Sequence, residues 1–375
     1  MQFLSDDLEN NNTIVNGARN LGEIPLDKAI WFLPAFDHVY RGGIRTILEV
    51  MAYLSREYGT HHTIVLYGEM KVSLDEIEHR IHGVFSGIKF DLINITNKDE
   101  VYNLPGADVS FCTLWTTAYL MLKYNKCKVK YYFIQDFEPK FYAGGSMYGL
   151  IEQTYRFGYF AICNTAGVAE ACKPYTQQIK YFTPAVDHEI YYPLKTVKNR
   201  KPYRIVFYGR PKNSRNGFNL CLKSLAKVKR HYGDDVEIIS VGAEYNASSF
   251  GVKGIINNLG ILPTLEDVAE LYRSSDIGLV FMFSTHPSYQ PLEYMACGCV
   301  TVTNENYYNK WLYKDRENVI LTAPTVNSVA NSIIATLEDH ELREHIIKGG
   351  INTVKQLSWE KTYQEIGDII KHPFS

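Results

Sequence analysis

The chain has 375 residues, of which 46% are hydrophobic and 21% are charged, and its formal net charge is -2. This balance excludes a disordered or fibrous protein, and the length suits two domains with separate apolar cores. So small a charge gives no global reason to bind nucleic acid, and a bound anion would need a local cluster of donors.

Seven cysteines are scattered along the chain without a C-x-x-C pair, which argues against a zinc or redox site and favours a reducing compartment. The first residues lack the basic flank and apolar run of a signal peptide, and no segment has the length needed to span a bilayer. We therefore expect a cytoplasmic protein.

Strand-like apolar runs alternate with helical segments after an N-terminal extension, residues 1–27. AIWFLPAF is followed by GIRTILEVMAYLSREYG and then by TIVLYG, and the alternation continues through FDLINI, ADVSFCTL, KYYFIQDF and FAICNT. One face of the first predicted helix carries the apolar residues Ile44, Ile47, Leu48, Met51 and Leu54. The pattern predicts a mainly parallel sheet covered by helices on both faces, in a Rossmann-like domain over 28–190.

Gly42 and Gly43 follow the first predicted strand, in the loop RGGIR from Arg41 to Arg45. Glycines before a helix allow either a close approach of the backbone to a ligand or an ordinary sharp turn, and both interpretations stay open. The spacing G-x-G-x-x-G is missing, which argues against a nicotinamide fingerprint.

The stretch KYNKCKVKYY, Lys123 to Tyr132, mixes basic and aromatic residues. One interpretation is peripheral contact with an anionic membrane surface at the inner face, where a lipid-linked acceptor would reside. The other is an exposed loop that leads into a strand.

Gln135, Asp136 and Glu138 come at the end of the strand that follows, where polar side chains tend to face a cleft. We expect these residues to contact an acceptor or a donor sugar, with Asp136 or Glu138 able to act as a general base. A salt bridge at the strand end is the alternative. The many aromatic residues between Tyr131 and Tyr192 can line a sugar site or pack in the core.

A polar, proline-containing stretch, residues 191–202, interrupts the pattern and is the predicted linker. The strand YRIVFYG then opens a second Rossmann-like domain over 203–355. Residues 356–375 form a predicted final helix with Ser358 as its N-cap, and we expect this helix to return to the first domain. Two such domains place the carboxyl ends of both sheets toward a shared cleft, which is the predicted active site.

The loop after Gly209 contains three cations, Arg210, Lys212 and Arg215. Guanidinium groups and the amides of a helix N-terminus suit a diphosphate, so no metal or other cofactor is expected. The alternative is a turn that carries solvated charges.

The later segment FSTHPSYQPLEYMACG carries His286, Ser288 and Tyr289 in a loop, followed by Glu293 in the first turn of a short helix. A carboxylate accepts hydrogen bonds from vicinal hydroxyls, so Glu293 is a candidate for holding a ribose. Its alternative role is to complement the helix dipole. His286 either bonds the donor or packs within the loop.

Taken together, these motifs make the chain resemble retaining GT-B glycosyltransferases of family 4. It is most similar to bacterial rhamnosyltransferases that use dTDP-L-rhamnose to build surface rhamnans such as S-layer glycans, and QDFEP and FYAGGSMYGLIEQTYRFGY share the likeness. The resemblance implies that Arg210 and Arg215 bind the pyrophosphate and stabilise its departure, and that Glu293 holds the ribose. The donor set further includes Gly42, Gly43, Gly209, Lys212, Asn216, His286, Ser288 and Tyr289, and the acceptor set Gln135, Asp136, Glu138 and Tyr142.

One position departs from that family. Its members usually carry a glutamate eight residues before the second one, and here Thr285 stands there. Two rival hypotheses stay open: a GT-B nucleotide-sugar epimerase and, because this glutamate is absent, a catalytically silent sugar-binding subunit. The expected partners are a nucleotide-sugar donor and a saccharide or lipid-linked glycan acceptor, without nucleic acid.

Overall fold

The computed structural model describes residues 5–39, 42–194 and 201–374. The chain divides into two compact units. Unit 1 comprises Met1–Thr183 and Glu360–Ser375, and unit 2 comprises Pro184–Trp359. Arg41 and half of the predicted linker, residues 195–200, lie outside the described residues.

Unit 1 is built on a parallel sheet of seven strands in the order β3-β2-β1-β4-β5-β6-β7. The strands are β1 Lys28–Pro34, β2 His61–Tyr67, β3 Lys89–Ile95, β4 Val109–Cys112, β5 Val129–Ile134, β6 Phe160–Asn164 and β7 Ile179–Phe182. The helices are α1 Ser5–Ala18, α2 Gly42–Tyr58, α3 Leu74–Val84, α4 Trp115–Leu122, α5 Ser146–Thr154, α6 Ala166–Cys172 and, from the end of the chain, α12 Trp359–Lys371.

Unit 2 has a parallel sheet of six strands in the order β10-β9-β8-β11-β12-β13. The strands are β8 Tyr203–Tyr208, β9 Val236–Val241, β10 Asn257–Asn258, β11 Ile277–Leu279, β12 Val300–Asn304 and β13 Ile320–Thr322. The helices are α7 Phe218–Tyr232, α8 Leu265–Ser274, α9 Gln290–Ala296, α10 Val326–Glu338 and α11 His340–Val354. The predicted pair of α/β Rossmann-like domains is therefore confirmed.

The strand order reverses once in each sheet, between β1 and β4 in unit 1 and between β8 and β11 in unit 2. Loops that leave adjacent strands in opposite directions open a crevice at the carboxyl edge, which is where open α/β sheets bind ligands. Both faces of each sheet are covered. In β8, for example, Ile205 and Phe207 belong to one apolar core and Val206 to the other.

Aromatic side chains form a row across the sheet of unit 1. Trp31 stacks on Phe111 with ring centroids 3.8 Å apart, Phe111 stacks on Tyr131 at 5.0 Å, and Tyr131 meets Phe160 edge-on at 5.9 Å. Most of the aromatic residues between Tyr131 and Tyr192 fill the core, so the packing interpretation is confirmed for them. Tyr142, Tyr181 and Tyr192 remain exposed.

The final helix packs on unit 1, as predicted. The Tyr131 hydroxyl donates to the carbonyl of Ile370 at 2.6 Å, and the Thr362 hydroxyl donates to the carbonyl of Thr183 at 2.8 Å. Residues 184–194, which the sequence analysis divides between the first domain and the linker, instead group with unit 2. Their contacts explain this, since Arg273 Nη1 donates to the carbonyl of Ile190 at 2.8 Å.

The N-terminal extension contains α1, a helix that sequence reasoning missed because its run of asparagines has weak helix propensity. Asn11 is fully buried, donates from Nδ2 to the carbonyl of Phe157 at 2.9 Å and accepts from Lys130 Nζ at 3.0 Å. Burial lowers the pKa of Lys130 to about 8. Asn11 therefore links Lys130 in β5 to the backbone at Phe157, just before β6.

Most of the stretch from Lys123 to Tyr132 is buried. Lys123 and Lys130 are buried together with the three tyrosines of the stretch, and Lys128, one of the exposed residues, pairs with Asp108 at 2.8 Å. The burial of those rings leaves Lys126 and Lys128 as the exposed residues of the stretch, and membrane contact stays a prediction. Across 5–39, 42–194 and 201–374, no helix combines the length and apolar character needed to cross a bilayer.

Candidate active site

The loop after β8 begins at Gly209, where the backbone is too tightly enclosed for a side chain. A Cβ at this position would overlap Ser240 Oγ, and the amide of Gly209 donates to the carbonyl of Val241 at 2.9 Å. Arg210 follows, with its guanidinium 5.7 Å from the centroid of the Tyr208 ring and its Nη1 donating to the Tyr208 hydroxyl at 3.2 Å. The ring thus holds a half-buried cation at the carboxyl edge of the sheet.

Tyr208 is itself supported by a residue that sequence reasoning missed. Gly242 has a φ of +106°, and a Cβ there would lie 2.6 Å from the Tyr208 ring and 3.5 Å from Arg210 Cγ. Glycine is therefore required both for the backbone conformation and for the space. A glycine directly after a buried strand, in the motif IISVG, is the signal that was available.

The end of the same loop leads into α7. Gly217 is the N-cap of α7 in the left-handed conformation, and no side chain caps the first turn. Arg215 is half-buried, and Lys212 is exposed. Backbone amides and cations are therefore presented together at this helix N-terminus, which is the arrangement that favours a phosphate.

This loop is joined directly to the segment that follows β11. The buried Asn216 donates from Nδ2 to the carbonyl of Phe281 at 3.0 Å, and the amide of Phe283 donates to the carbonyl of Arg215 at 2.9 Å. The two motifs lie more than sixty residues apart in the chain. The fold brings them together because β8 and β11 are neighbours at the point where the strand order reverses.

His286 and Ser288 lie in the tight turn before α9. Both are buried, and His286 Nδ1 accepts from the backbone amide of Ser288 at 2.9 Å. In the neutral imidazole the proton therefore sits on Nε2, which makes that atom a donor. Ser288 has a φ of +72°, a conformation that costs free energy for a residue with a Cβ and tends to persist at functional sites. The Ser288 hydroxyl donates to Gln290 Oε1, and the Tyr289 ring lies 5.3 Å from that of His286.

Glu293 is half-buried in the first turn of α9, and its amide donates to the carbonyl of Tyr289 at 3.1 Å. Burial, reinforced by neighbouring groups that include the Glu293 carboxylate, raises the pKa of both Tyr272 and Tyr294 well above the usual value. Both phenols thus stay protonated, and the carboxylate lies close to them.

In unit 1, Gln135 connects three segments at the carboxyl edge of the sheet. Its Nε2 donates to the carbonyl of Gly43 at 2.9 Å, and its Oε1 accepts from Asn164 Nδ2 at 3.1 Å. The predicted residues Gly42, Gly43 and Gln135 are therefore neighbours, with Gly42 and Gly43 exposed in the first turn of α2. The buried Asp136 accepts at Oδ1 from the amide of Phe137 at 2.8 Å.

Glu138 is buried, and both of its carboxylate oxygens accept hydrogen bonds within unit 1. Oε2 accepts from the amide of Trp115 at 2.7 Å, at the start of α4, and Oε1 accepts from the Tyr132 hydroxyl at 3.3 Å. A carboxylate at a helix N-terminus satisfies an amide that has no partner within the helix. This contact gives Glu138 a structural role, and its function as a general base stays a prediction.

Tyr142 is 41% exposed and lies beside Trp115. The Trp115 indole donates to the Tyr142 hydroxyl at 3.3 Å, and the two rings meet edge-on with centroids 6.2 Å apart. Tyr142 therefore presents a fixed ring to solvent next to the residue that Glu138 caps.

A cavity of about 310 Å³ lies at the other edge of the unit 2 sheet, by the amino ends of β11 and β12. Its lining includes Arg273, Asp276, Cys297, Arg343 and Lys348, and none of the predicted site residues. Proximity of polar groups at the carboxyl edge, and not this cavity, is what supports the predicted donor residues.

Two family models match the chain, one for each unit. The N-terminal domain of WsaF matches residues 35–166, and the C-terminal domain of WsaF matches residues 203–334. The chain is also 39% identical over 336 residues to the O-antigen biosynthesis protein RfbC of Myxococcus xanthus. That region covers 89% of this chain and 26% of RfbC, so the chain spans about a quarter of the length of this relative.

Several solved structures share the fold at low sequence identity. Sucrose-phosphate synthase from Thermosynechococcus elongatus has a TM-score of 0.72 at 13% identity, covering 92% of this chain and 98% of its own. Anabaena HepE in complex with UDP and glucose gives 0.69 at 14% identity, with 92% and 99% covered. WaaG, a glycosyltransferase involved in lipopolysaccharide biosynthesis, gives 0.66 at 13% identity, again with 92% and 99% covered. The two domain matches show that the chain consists of a WsaF N-terminal domain and a WsaF C-terminal domain, and the solved structures show that it has the GT-B fold.

Proposed function

We propose that this protein transfers L-rhamnose from dTDP-L-rhamnose to a growing surface polysaccharide, with retention of the anomeric configuration. The observation that carries the proposal is the pair of hydrogen bonds that joins the Arg215 loop, at the N-terminus of α7, to the segment after β11 that leads to Glu293. HepE, which shares the fold, was solved with UDP-glucose. RfbC, the relative in sequence, is named for O-antigen biosynthesis.

The donor diphosphate would lie against Gly209–Asn216 and the N-terminus of α7. As the bond between the anomeric carbon and the phosphate oxygen breaks, negative charge grows on the departing diphosphate. Arg210 and Arg215 would stabilise that charge, assisted by Lys212 and by the Nε2–H of His286. Since these groups supply the positive charge, the reaction is proposed to need no metal.

Glu293 would accept a hydrogen bond from the 3′-hydroxyl of the deoxyribose of dTDP, while Ser288 and Tyr289 line the turn beside it. The acceptor hydroxyl would attack the anomeric carbon from the face that the diphosphate leaves, and its proton would pass to the departing phosphate oxygen. Under this scheme Gln135, Asp136 and Tyr142 position the acceptor, and no side chain has to act as the base.

The test combines binding and transfer. Thermal shifts are measured with dTDP-L-rhamnose, UDP-glucose and dTDP, because a ligand that binds only the native state stabilises it by mass action. We expect the largest shift with dTDP-L-rhamnose. The NMR spectrum of the product should show that the new linkage has the same anomeric configuration as the sugar in the donor. A larger shift with UDP-glucose would contradict dTDP-L-rhamnose as the donor, and a linkage of inverted configuration would contradict the retaining mechanism.

Incubation with donor alone separates transfer from epimerisation. Formation of an epimer of the donor sugar without any acceptor would favour an epimerase. Complete absence of turnover with every donor, with nucleotide binding retained, would favour a silent sugar-binding subunit.

A further inference from the structure

Two exposed aromatic rings lie beside the predicted donor site, in the residues that follow β12. Tyr307 is 66% exposed and Trp311 is 37% exposed, and both lie in the aromatic loop, defined here as residues 305–311. Single exposed apolar residues are ordinary, but large rings that recur within a few residues at a sheet edge mark binding surfaces.

The aromatic loop is held rigidly. Asn304, at the end of β12, accepts from the amide of Met282 at 2.8 Å and donates to its carbonyl at 3.1 Å. Asn306 donates from Nδ2 to the carbonyl of Ser284 at 2.5 Å, and its Oδ1 accepts from the amide of Tyr308 at 3.1 Å. The rings are thus exposed by a fixed backbone, so binding on them loses little conformational freedom.

The position of the loop relates it to the transfer reaction. Ser284 immediately follows Phe283, whose amide bonds the carbonyl of Arg215 in the predicted diphosphate loop. In the sheet order β8-β11-β12, the diphosphate residues flank the crevice between β8 and β11, and the aromatic loop lies one strand further along. A ligand on the loop is therefore next to the donor diphosphate without overlapping it.

The chemistry of the loop suits a sugar ring. A pyranose has an apolar C–H face that can stack on an aromatic ring, and a rim of hydroxyls that hydrogen-bond polar side chains. The loop offers both, since its sequence is ENYYNKW and Lys310 Nζ lies 5.5 Å from the centroid of the Tyr307 ring. Glu305 and Lys310 are both exposed, so the polar groups are accessible beside the rings.

We propose that the aromatic loop binds a pyranose ring of the acceptor glycan, stacked on Tyr307 and Trp311. This inference rests on the proposed function and extends it, because it assigns acceptor recognition to unit 2 as well as to the predicted residues of unit 1. The donor sugar is the less suitable occupant, since the predicted donor residues lie on the β8 and β11 side.

The test measures binding of a synthetic rhamnose disaccharide in the absence of donor, by calorimetry and by quenching of tryptophan fluorescence. Because each substitution removes one stacked ring, Tyr307→Ala and Trp311→Ala should each weaken binding about five- to tenfold. Tyr307→Phe keeps the ring and should bind within about twofold of the wild type. Tyr181→Ala, which removes a ring that is 51% exposed in unit 1, is the matched control and should bind normally.

Steady-state transfer gives an independent reading. The same two alanine variants should raise the KM for the acceptor and leave the KM for the donor unchanged. Disaccharide binding that neither alanine variant weakens, or a rise in the donor KM instead, would overturn the proposal. Loss of binding by Tyr307→Phe as severe as by Tyr307→Ala would also overturn it, since stacking would then not be the cause.

Failure of the proposed function has a different signature. If no donor supports transfer but disaccharide binding still depends on Tyr307 and Trp311, the aromatic loop stands as a saccharide site and the transfer mechanism falls. If transfer proceeds and the disaccharide binds without either ring, the transfer reaction stands and the aromatic loop is not the saccharide site.

Discussion

The carboxyl edges of the two sheets carry polar residues of different kinds. In unit 2 the edge bears cations, and within the described part of the chain neither Arg210 nor Lys212 forms an ion pair with a carboxylate. In unit 1 the edge bears Asp136 and Glu138, which are buried and accept hydrogen bonds from their own surroundings. A polar residue at a strand end can therefore serve the fold, as Glu138 does, and not only a ligand.

The largest effect is expected in unit 2. Arg215→Ala removes a cation that stabilises the departing diphosphate, so kcat/KM for transfer should fall roughly 10²- to 10³-fold, with an unchanged circular dichroism spectrum. Lys212→Ala, a change at an exposed neighbour in the same loop, is the matched variant and should cost less. Equal activity of Arg215→Ala and the wild type would contradict the proposal that the cations at the edge of unit 2 stabilise the departing diphosphate.

Glu138 should show the opposite behaviour. Glu138→Gln weakens the acceptor for the Trp115 amide and leaves a mismatched buried group, which should lower the free energy of unfolding of unit 1 by roughly 2 kcal/mol. Asp136→Asn, two residues earlier in the chain, should leave the urea midpoint almost unchanged and reduce transfer. If instead Glu138→Gln abolishes transfer without loss of stability, Glu138 belongs to the reaction and not to the fold.

His62 allows a test of the unit 1 core by pH. It is fully buried, accepts at Nδ1 from the Trp31 indole at 3.0 Å and donates from Nε2 to the carbonyl of Met51 at 3.0 Å. Burial lowers its pKa to about 3 from the ordinary value of 6.5. The unfolded chain therefore binds a proton below pH 6.5 that the folded chain does not, and stability is lost as the pH falls from 6.5 toward 3.

At pH 5 this loss should reach about 2 kcal/mol relative to pH 7.5. The measurement is amide exchange of β1 and β2 at both pH values, in the wild type and in His62→Gln. The variant should be less stable at pH 7.5 and should show a smaller pH dependence. An identical pH dependence in both proteins would mean that other groups govern acid stability.

The smallest effect is expected from removing metal ions. If arginines and helix amides carry the diphosphate charge, excess EDTA should change the transfer rate by less than about twofold. A loss of activity that added Mg²⁺ or Mn²⁺ restores would show that the cations of unit 2 are insufficient.

The sequence predicted the two sheets well because parallel strands that are buried on both faces stand out as continuous apolar runs. It also assigned Arg215 and Glu293 to one donor site, which stays a prediction, and the segments that carry them follow the neighbouring strands β8 and β11. Ile47, Leu48, Met51 and Leu54 are buried as their helical spacing indicates.

What the sequence could not predict depends on contacts between distant residues. Nothing near Glu138 indicates that the amide of Trp115, 23 residues earlier, occupies its carboxylate. Nor does the sequence indicate that Asn11 accepts a hydrogen bond from Lys130, because the asparagine-rich segment around Asn11 gives a weak helix signal. The roles of Asn304 and Asn306 also required coordinates, although two amide side chains directly at the end of a buried strand were a usable signal.

Hydrogen–deuterium exchange with and without dTDP tests most directly whether the donor binds at the carboxyl edge of unit 2. Bound nucleotide should slow exchange in the peptides that cover residues 209–217 and 283–293, because both loops would contact the same molecule. Protection confined to residues 273–276 and 343–352 around the cavity, or to residues 135–142 of unit 1, would contradict the account.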